Sequence, residues 1–130
     1  MKSVYLWDTN TVIYFLQHQF SALAEQKIDE LVKTNAAVIS VITEIELLSW
    51  RSSNEEDIIT IKTFLWSSYI YPLDNDVKQK TIEIRKQFKL KLPDAIIAAT
   101  ALVYGKTLIT RNVSDFGKIP GIKLLNPFAD

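Results

Sequence analysis

The sequence predicts an α/β fold, a three-layer α/β/α sandwich around a mostly parallel central sheet of about five strands. Three observations predict it: five short runs of β-branched and apolar residues recur along the chain, segments with helical character separate them, and cap or turn residues stand at the borders. Strands that alternate with helices form βαβ units, whose helices cover both faces of a parallel sheet. The length of 130 residues suits one domain, which we expect to span residues 1–130.

The first half of the chain predicts two strands and four helices. The run "SVYLW" is a buried strand, and four cap-type residues, "DTNT", follow it before a helix. A serine precedes the next helix, and Asn54 with the acids after it marks the start of the fourth. The predicted strands are 3–7 and 36–40, and the predicted helices are 11–18, 21–34, 41–50 and 54–68.

The second half predicts three strands and two helices. A proline ends the third strand, and a charged helix follows it. Pro93 opens an apolar helix that Gly105 stops. The predicted strands are 69–73, 107–110 and 122–125, the helices are 74–88 and 93–104, and "TRNVSDF" (110–116) is a polar loop.

Composition excludes several kinds of site. Fifteen basic and fifteen acidic residues cancel, so the overall charge that favours nucleic acid is absent. The chain has no cysteine, which rules out thiol nucleophiles and thiolate metal sites, and the single histidine, His18, rules out a histidine-based zinc cluster. The sequence shows no pattern of a glycine-rich phosphate-binding loop, a membrane span or a signal peptide, so we expect a cytoplasmic protein.

Acidic residues stand near the ends of the predicted strands, and each has an ordinary structural explanation. Asp8 follows the first strand and suits a helix N-cap. Asp94 follows Pro93, where an acid is expected in the first turn of a helix. Asp115 follows the fourth strand in a polar loop, where Asn112 is a further oxygen ligand candidate.

The helix after the second strand offers two acids, Glu44 and Glu46. Its predicted apolar stripe is formed by Val41, Ile42, Ile45 and Leu48. Glu44 and Glu46 flank that stripe about equally, so helical periodicity does not choose between them.

Taken together, these acids predict a metal site. Parallel strands bring their carboxyl ends to one edge of a sheet, where ligands bind in α/β folds. Carboxylates that crowd together there repel one another, and a divalent cation relieves that repulsion. Oxygen ligands alone suit Mg²⁺ or Mn²⁺.

Four stretches of the chain resemble the PIN-domain ribonucleases, most closely the VapC toxins of bacterial toxin–antitoxin pairs. They are "YLWDTNTVIYFL", "ISVITEIELL", "LPDAIIAATAL" and "LITRNVSDF" with a later "NPF", and they occur in the family's order over nearly the whole chain. The resemblance implies a PIN-like fold and an endoribonuclease that uses Mg²⁺ or Mn²⁺ and leaves a 5′-phosphate and a 3′-hydroxyl.

The resemblance also assigns residues. Asp8, Glu46 and Asp94 match the family's first three acids, so it selects Glu46 where periodicity could not. Asp115 is favoured as the fourth acid, with Asn112 orienting it or the substrate, and Thr9 matches a hydroxyl residue that follows the first acid. Trp50 departs from the pattern, because relatives often have glycine in that region.

Binding an RNA substrate requires positive charge. Basic residues concentrate in 78–91, and another follows the fourth strand; the candidates for RNA contact are Arg85, Lys86, Lys89 and Arg111. The structural explanation of the first group is a solvated helix face with cations near its C-terminus, and the sequence favours neither interpretation.

The resemblance further implies a homodimer bound by a separate VapB-like antitoxin. The alternative function is a catalytically inactive PIN-like module that binds RNA or protein.

Overall fold

The protein forms a parallel sheet with helices on both faces, as the sequence predicts. A computed structural model describes residues 4–18, 20–34, 36–51 and 54–127. The strands are β1 (Tyr5–Trp7), β2 (Val38–Ser40), β3 (Tyr69–Tyr71), β4 (Thr107–Ile109) and β5 (Lys123–Leu125). The helices are α1 (Thr9–Leu16), α2 (Ala22–Thr34), α3 (Val41–Leu48), α4 (Glu55–Trp66), α5 (Asn75–Gln87), α6 (Leu92–Val103) and α7 (Val113–Phe116).

Every described strand pairing is parallel. β1 pairs with β4 and β4 with β5, while β2 pairs with β3. Contacts between β1 and β2 place the two groups of strands side by side, which gives the order β3-β2-β1-β4-β5. Since the strands within each group run the same way, the carboxyl ends of that group meet at one edge.

Alternating side chains of the strands build two cores, one on each face of the sheet. Leu6, Val38 and Leu108 pack with α5 and α6 on one face. The next residue of each strand (Trp7, Ile39 and Ile109) packs with α1 to α4 on the other. Both faces are therefore covered, which confirms the three-layer architecture.

Helix α6 lies in the middle of one core. All seven residues from Ala95 to Ala101 are buried, and four of them are alanines. Small side chains let a helix approach the sheet closely, so the start of α6 is held at the carboxyl edge.

Several predicted boundaries shift by one or two residues. The first helix begins at Thr9 rather than at residue 11, and the third ends at Leu48 rather than at residue 50. Asn54 is the N-cap of α4, as predicted: its side chain accepts a hydrogen bond from the Glu56 amide. The predicted start of the first strand, residue 3, lies outside the described residues.

The prediction of a loop over 110–116 was wrong in part. Residues 113–116 form the short helix α7, which Asn112 caps by accepting a hydrogen bond from the Asp115 amide. Phe116 anchors this turn because its side chain is buried in the core. In the described part of the chain, no helix has the length and apolar character needed to cross a membrane.

Candidate active site

Asp8 joins the ends of two neighbouring strands. It follows β1, is 6% exposed, and its amide donates a hydrogen bond to the Ile109 carbonyl at the end of β4. One carboxylate oxygen, Oδ1, accepts from the Thr11 amide at 2.7 Å, which makes Asp8 the N-cap of α1. The other, Oδ2, accepts from the Thr110 hydroxyl. Asp8 is therefore both a helix cap and a carboxylate in a fixed orientation.

Thr110 is a site residue that the sequence reasoning missed. Its side chain is fully buried, and its Oγ1 donates to Asp8 while accepting from the Asn112 amide at 3.0 Å. The signal that could have identified Thr110 was its position directly after β4, the strand that pairs with β1. Thr110 thus connects Asp8 to the turn that carries α7.

Glu46 is held by a neighbouring hydroxyl. The Thr9 Oγ1 donates to Glu46 Oε1 at 2.7 Å and lies 3.0 Å from the Thr43 Oγ1. Thr9 therefore connects α1 to α3 and restricts the Glu46 carboxylate. Its supporting role at the site stays a prediction.

The predicted apolar stripe of α3 was wrong. Ile45 and Leu48 are about half exposed, whereas Thr43 and Leu47 are buried. At about 100° per residue, Glu46 lies only some 60° around the helix from Thr43. Glu46 therefore lies close to the buried face of α3 and lines the same pocket as Asp8. The sequence signal for this face is the polar residue Thr43, which an analysis of hydrophobicity alone misses.

Asp94 is half-buried in the first turn of α6. The helix begins at Leu92, so Pro93 occupies its second position, and Lys91 is the N-cap residue without a capping side-chain bond. Burial raises the pKa of the Asp94 carboxyl, and the nearby charges of Asp8 and Glu46 raise it further. Lys91 acts in the opposite direction on the same pKa. The three acids therefore interact electrostatically.

These three acids line one open pocket at the carboxyl edge of the sheet. Its volume is about 270 Å³. Its other lining residues are Thr9, Asn10, Ile13, Leu47, Ser49 and Trp50. The sequence reasoning did not assign Asn10, which also lines two neighbouring cavities.

Asp115 and Asn112 lie beside this pocket rather than in it. The Asn112 Nδ2 donates to Asp115 Oδ2 at 3.1 Å, and both residues line a second cavity together with Asp94. Asp115 contributes to the raised pKa of Asp94, after burial and the two closer acids. Asn112 holds the Asp115 carboxylate through this hydrogen bond, and its role in orienting that acid or the substrate stays a prediction.

The chemistry of these side chains fits a hard divalent cation. Their oxygens are the donors that Mg²⁺ and Mn²⁺ prefer, and a cation would relieve the repulsion that raises the pKa of Asp94. Each ionised carboxylate retains lone pairs beyond its protein hydrogen bonds. Within residues 4–18, 20–34, 36–51 and 54–127, no three acids yet converge closely enough to surround one ion. The arrangement in the described residues is an open acidic pocket rather than an assembled ligand set.

The basic candidates fall into two places. Arg85, Lys86 and Lys89 line a groove along the end of α5, and Lys89 also lines the cavity of Asp94 and Asp115. Arg111 lines a smaller cavity together with Asp8. Two cavities that adjoin the acidic pocket therefore contain basic residues.

Comparison with known proteins identifies the family. The model of the PIN domain matches residues 5–121, which is most of the chain. The chain belongs to the PIN-domain family. A ribonuclease VapC1 of Haemophilus influenzae is 28% identical over 128 residues, covering 92% of this chain and 95% of the relative.

Solved structures of toxin–antitoxin complexes share this PIN fold. A toxin–antitoxin complex from Klebsiella pneumoniae aligns with a TM-score of 0.76 and 31% identity, covering 97% of this chain and 99% of the other. VapBC2 from Rickettsia felis, bound to a DNA fragment of its promoter, aligns with a TM-score of 0.79 and 25% identity, covering 94% and 97%. The resemblance to VapC toxins is confirmed.

The raised pKa of Asp94 leads to a prediction about the stability of this PIN domain. The folded state binds the Asp94 proton more tightly than the unfolded state, so ionised Asp94 lowers the free energy of unfolding at neutral pH. We expect Asp94→Asn to be more stable than the wild type at pH 7. The difference should shrink as the pH falls through the raised pKa and vanish below the ordinary aspartate pKa of about 3.9.

Urea unfolding across this pH range measures the effect. Asp29→Asn removes an exposed carboxyl group from α2 and serves as the matched control. A lower stability of Asp94→Asn at pH 7 would show that the acids do not repel one another.

The buried hydroxyl of Thr110 leads to a second prediction. Thr110→Val keeps the side-chain shape but leaves the Asn112 amide and one Asp8 oxygen without this partner. Removing one partner of a buried hydrogen bond costs about 1–3 kcal/mol. We expect a decrease of that size in the free energy of unfolding, measured with urea.

Thr100→Val is the control for this variant. Thr100 is also fully buried, but its hydroxyl donates to the Ile96 carbonyl of its own helix at 2.7 Å. Its removal leaves no buried amide or carboxylate unpaired, so the cost should be smaller. Equal decreases in the two variants would contradict the connecting role of Thr110.

Proposed function

We propose that this chain is a VapC-like toxin, an endoribonuclease that depends on Mg²⁺ or Mn²⁺. One observation carries the proposal: Asp8, Glu46 and Asp94 come from three separate elements and line one pocket at the carboxyl edge of a parallel sheet. Family membership supports the nuclease class, and the VapC1 relative is named a ribonuclease.

In this proposal, Asp8, Glu46 and Asp94 bind the metal, and Asp115 supports the ion or its waters. A bound divalent ion supplies an activated water and polarises the phosphate. The protein's own contribution is to hold the carboxylates in place. Thr110 and the Thr11 amide fix Asp8, Thr9 fixes Glu46, and Asn112 fixes Asp115.

The flanking cations support an RNA substrate. The groove of Arg85, Lys86 and Lys89 has no acidic residue among its described lining, and none of the three forms an ion pair in the described part of the chain. Lys89 joins that groove to the acidic site, and Arg111 lines a neighbouring cavity together with Asp8. We propose that these four residues contact phosphates near the cleaved bond.

The partner and the setting are part of the same proposal. Structures from Rickettsia felis and Klebsiella pneumoniae are toxin–antitoxin complexes, and we propose a VapB-like antitoxin for this chain. We also propose a homodimer, a single working domain over residues 1–130, and action in the cytoplasm. An inactive PIN-like module that binds RNA or protein is the alternative.

The catalytic prediction concerns the acids. The purified protein should cleave RNA with Mg²⁺ or Mn²⁺, leave 5′-phosphate ends and stop with EDTA. Asp8→Asn, Glu46→Gln and Asp94→Asn should each lower the rate roughly 100-fold or more, since removal of a supporting hydrogen bond alone costs about 10–100-fold at metal sites. Single-turnover cleavage of a labelled RNA measures these rates.

Calorimetric titration with Mn²⁺ separates this function from the alternative. Asp8→Asn should weaken Mn²⁺ binding, and asparagine retains the capping oxygen that α1 needs. Cleavage that persists in EDTA and in all three variants would refute the metal-dependent mechanism. A folded wild type that binds RNA without Mn²⁺ binding or cleavage would favour the inactive module.

A separate prediction concerns the groove along α5. Lys86→Glu combined with Lys89→Glu should weaken RNA binding and reduce the slope of log affinity against log salt by about one for each phosphate that the variant no longer neutralises. Fluorescence anisotropy of a labelled RNA in EDTA measures binding without cleavage.

Lys33→Glu combined with Lys62→Glu makes the same charge change on α2 and α4, where both lysines are exposed. If both pairs weaken binding equally, net charge rather than the groove is responsible.

A further inference from the structure

The acidic pocket has two chemically different walls. Asp8, Glu46 and Asp94 form the charged wall, and Ile13, Leu47 and Trp50 contribute apolar surface. A volume of about 270 Å³ lies just below the ~300–1,000 Å³ of typical small-ligand sites. A pocket of this size suits one nucleotide unit rather than a folded helix of RNA.

Trp50 is the aromatic residue of the apolar wall. It follows the C-cap of α3, where its amide donates to the Leu47 carbonyl at 3.3 Å. Trp50 is 38% exposed, whereas Trp7, in the core, is 2% exposed. The fold therefore leaves indole surface accessible beside three carboxylates.

Trp50 lies outside the hydrophobic core. Trp50 belongs to neither of the two buried core clusters of the described residues. A ligand matches both walls if it has a planar aromatic ring at one end and, at the other, an anionic group that a divalent cation bridges to the acids.

A nucleotide has those two ends. The acids and their metal take the phosphate, as proposed above, and an indole offers a flat surface on which any base can stack. Base–aromatic stacking is worth about 1–3 kcal/mol per base and tolerates all four bases. We propose that Trp50 stacks against a base next to the cleaved phosphate and so fixes the nucleotide relative to the acids. This inference rests on the proposed nuclease function.

The test compares three variants on one short RNA that the wild type cleaves. Trp50→Ala should lower kcat/KM by about 5- to 150-fold, the factor equivalent to one stacked base. Trp50→Phe should recover most of that activity, because phenylalanine retains an aromatic face. Mn²⁺ affinity, measured by calorimetry, should be the same in all variants, since Trp50 offers no ligand atom to the metal.

Trp66→Ala is the matched control. Trp66 is 92% exposed on α4 and does not line the acidic pocket in the described residues. Its removal deletes an exposed indole without touching the stacking surface, so kcat/KM should stay at the wild-type value. Urea unfolding of each variant identifies any decrease in activity that comes from folding.

A second measurement locates the base. Replacing one nucleotide at a time by an abasic unit should identify a position beside the cleaved bond where the wild type loses activity. In Trp50→Ala, the same abasic unit should cause little further decrease, because the stacking partner has already gone.

Two results would overturn the inference while leaving the proposed function intact. One is a wild type that cleaves RNA and a Trp50→Ala variant that cleaves it equally well. The other is that the abasic unit and Trp50→Ala lower the activity independently, so that their effects add in full. That result would assign Trp50 to packing or to a protein contact. A wild type that cleaves no RNA with either metal would instead refute the nuclease proposal, and this inference with it.

Discussion

Asp8 connects the carboxyl ends of β1 and β4, and much of the site depends on that connection. Its amide bonds to β4, one oxygen caps α1, and the other accepts from Thr110 after β4. Because β1 and β4 are parallel neighbours, the start of α1 and the turn that begins at Thr110 lie next to each other. The Asp8 side chain that caps α1 therefore belongs to the same residue that lines the pocket.

The acids around Asp8 make this edge of the sheet electrostatically unfavourable without a cation. Burial and the charges of Asp8 and Glu46 act together on Asp94, and Lys91 offsets only part of that effect on its pKa. Hydrogen bonds from Thr9, Thr110 and Asn112 keep the carboxylates from turning away from one another. The same contacts thus hold carboxylates that repel one another close together at this edge of the sheet.

The fold was predictable from sequence because its signals are local. Five apolar runs, the caps at Asp8 and Asn54, and Pro93 before an alanine-rich helix predicted the order of elements and the parallel sheet. Each acid of the pocket was also predicted from the sequence, though the choice of Glu46 over Glu44 needed the family resemblance. Periodicity failed on α3 because it assumes that the most apolar face is buried, whereas Ile45 and Leu48 are exposed and Thr43 is buried.

What the sequence could not predict are contacts across long stretches of chain. Thr110 and Asp8 are 102 positions apart, and only the pairing of β4 with β1 makes them neighbours. The small helix α7 escaped prediction because four residues are too few to show a period, and its stability comes from the Asn112 cap and buried Phe116. Trp50 stood out as a departure from the family pattern, but only the structure places its side chain in the pocket of the acids.

Asp94 lies where two cavities meet. It lines the pocket of Asp8 and Glu46 and also the cavity of Asp115 and Lys89, and Asn10 lines both. The two spaces therefore meet at the first turn of α6, with an apolar wall at one end and a cationic groove beyond the other. Under the proposed function, an RNA strand that crossed Asp94 would pass from the cavity that contains Trp50 to the cavity that contains Lys89. The buried residues of α6 that follow Asp94 hold the carboxylate at this crossing point.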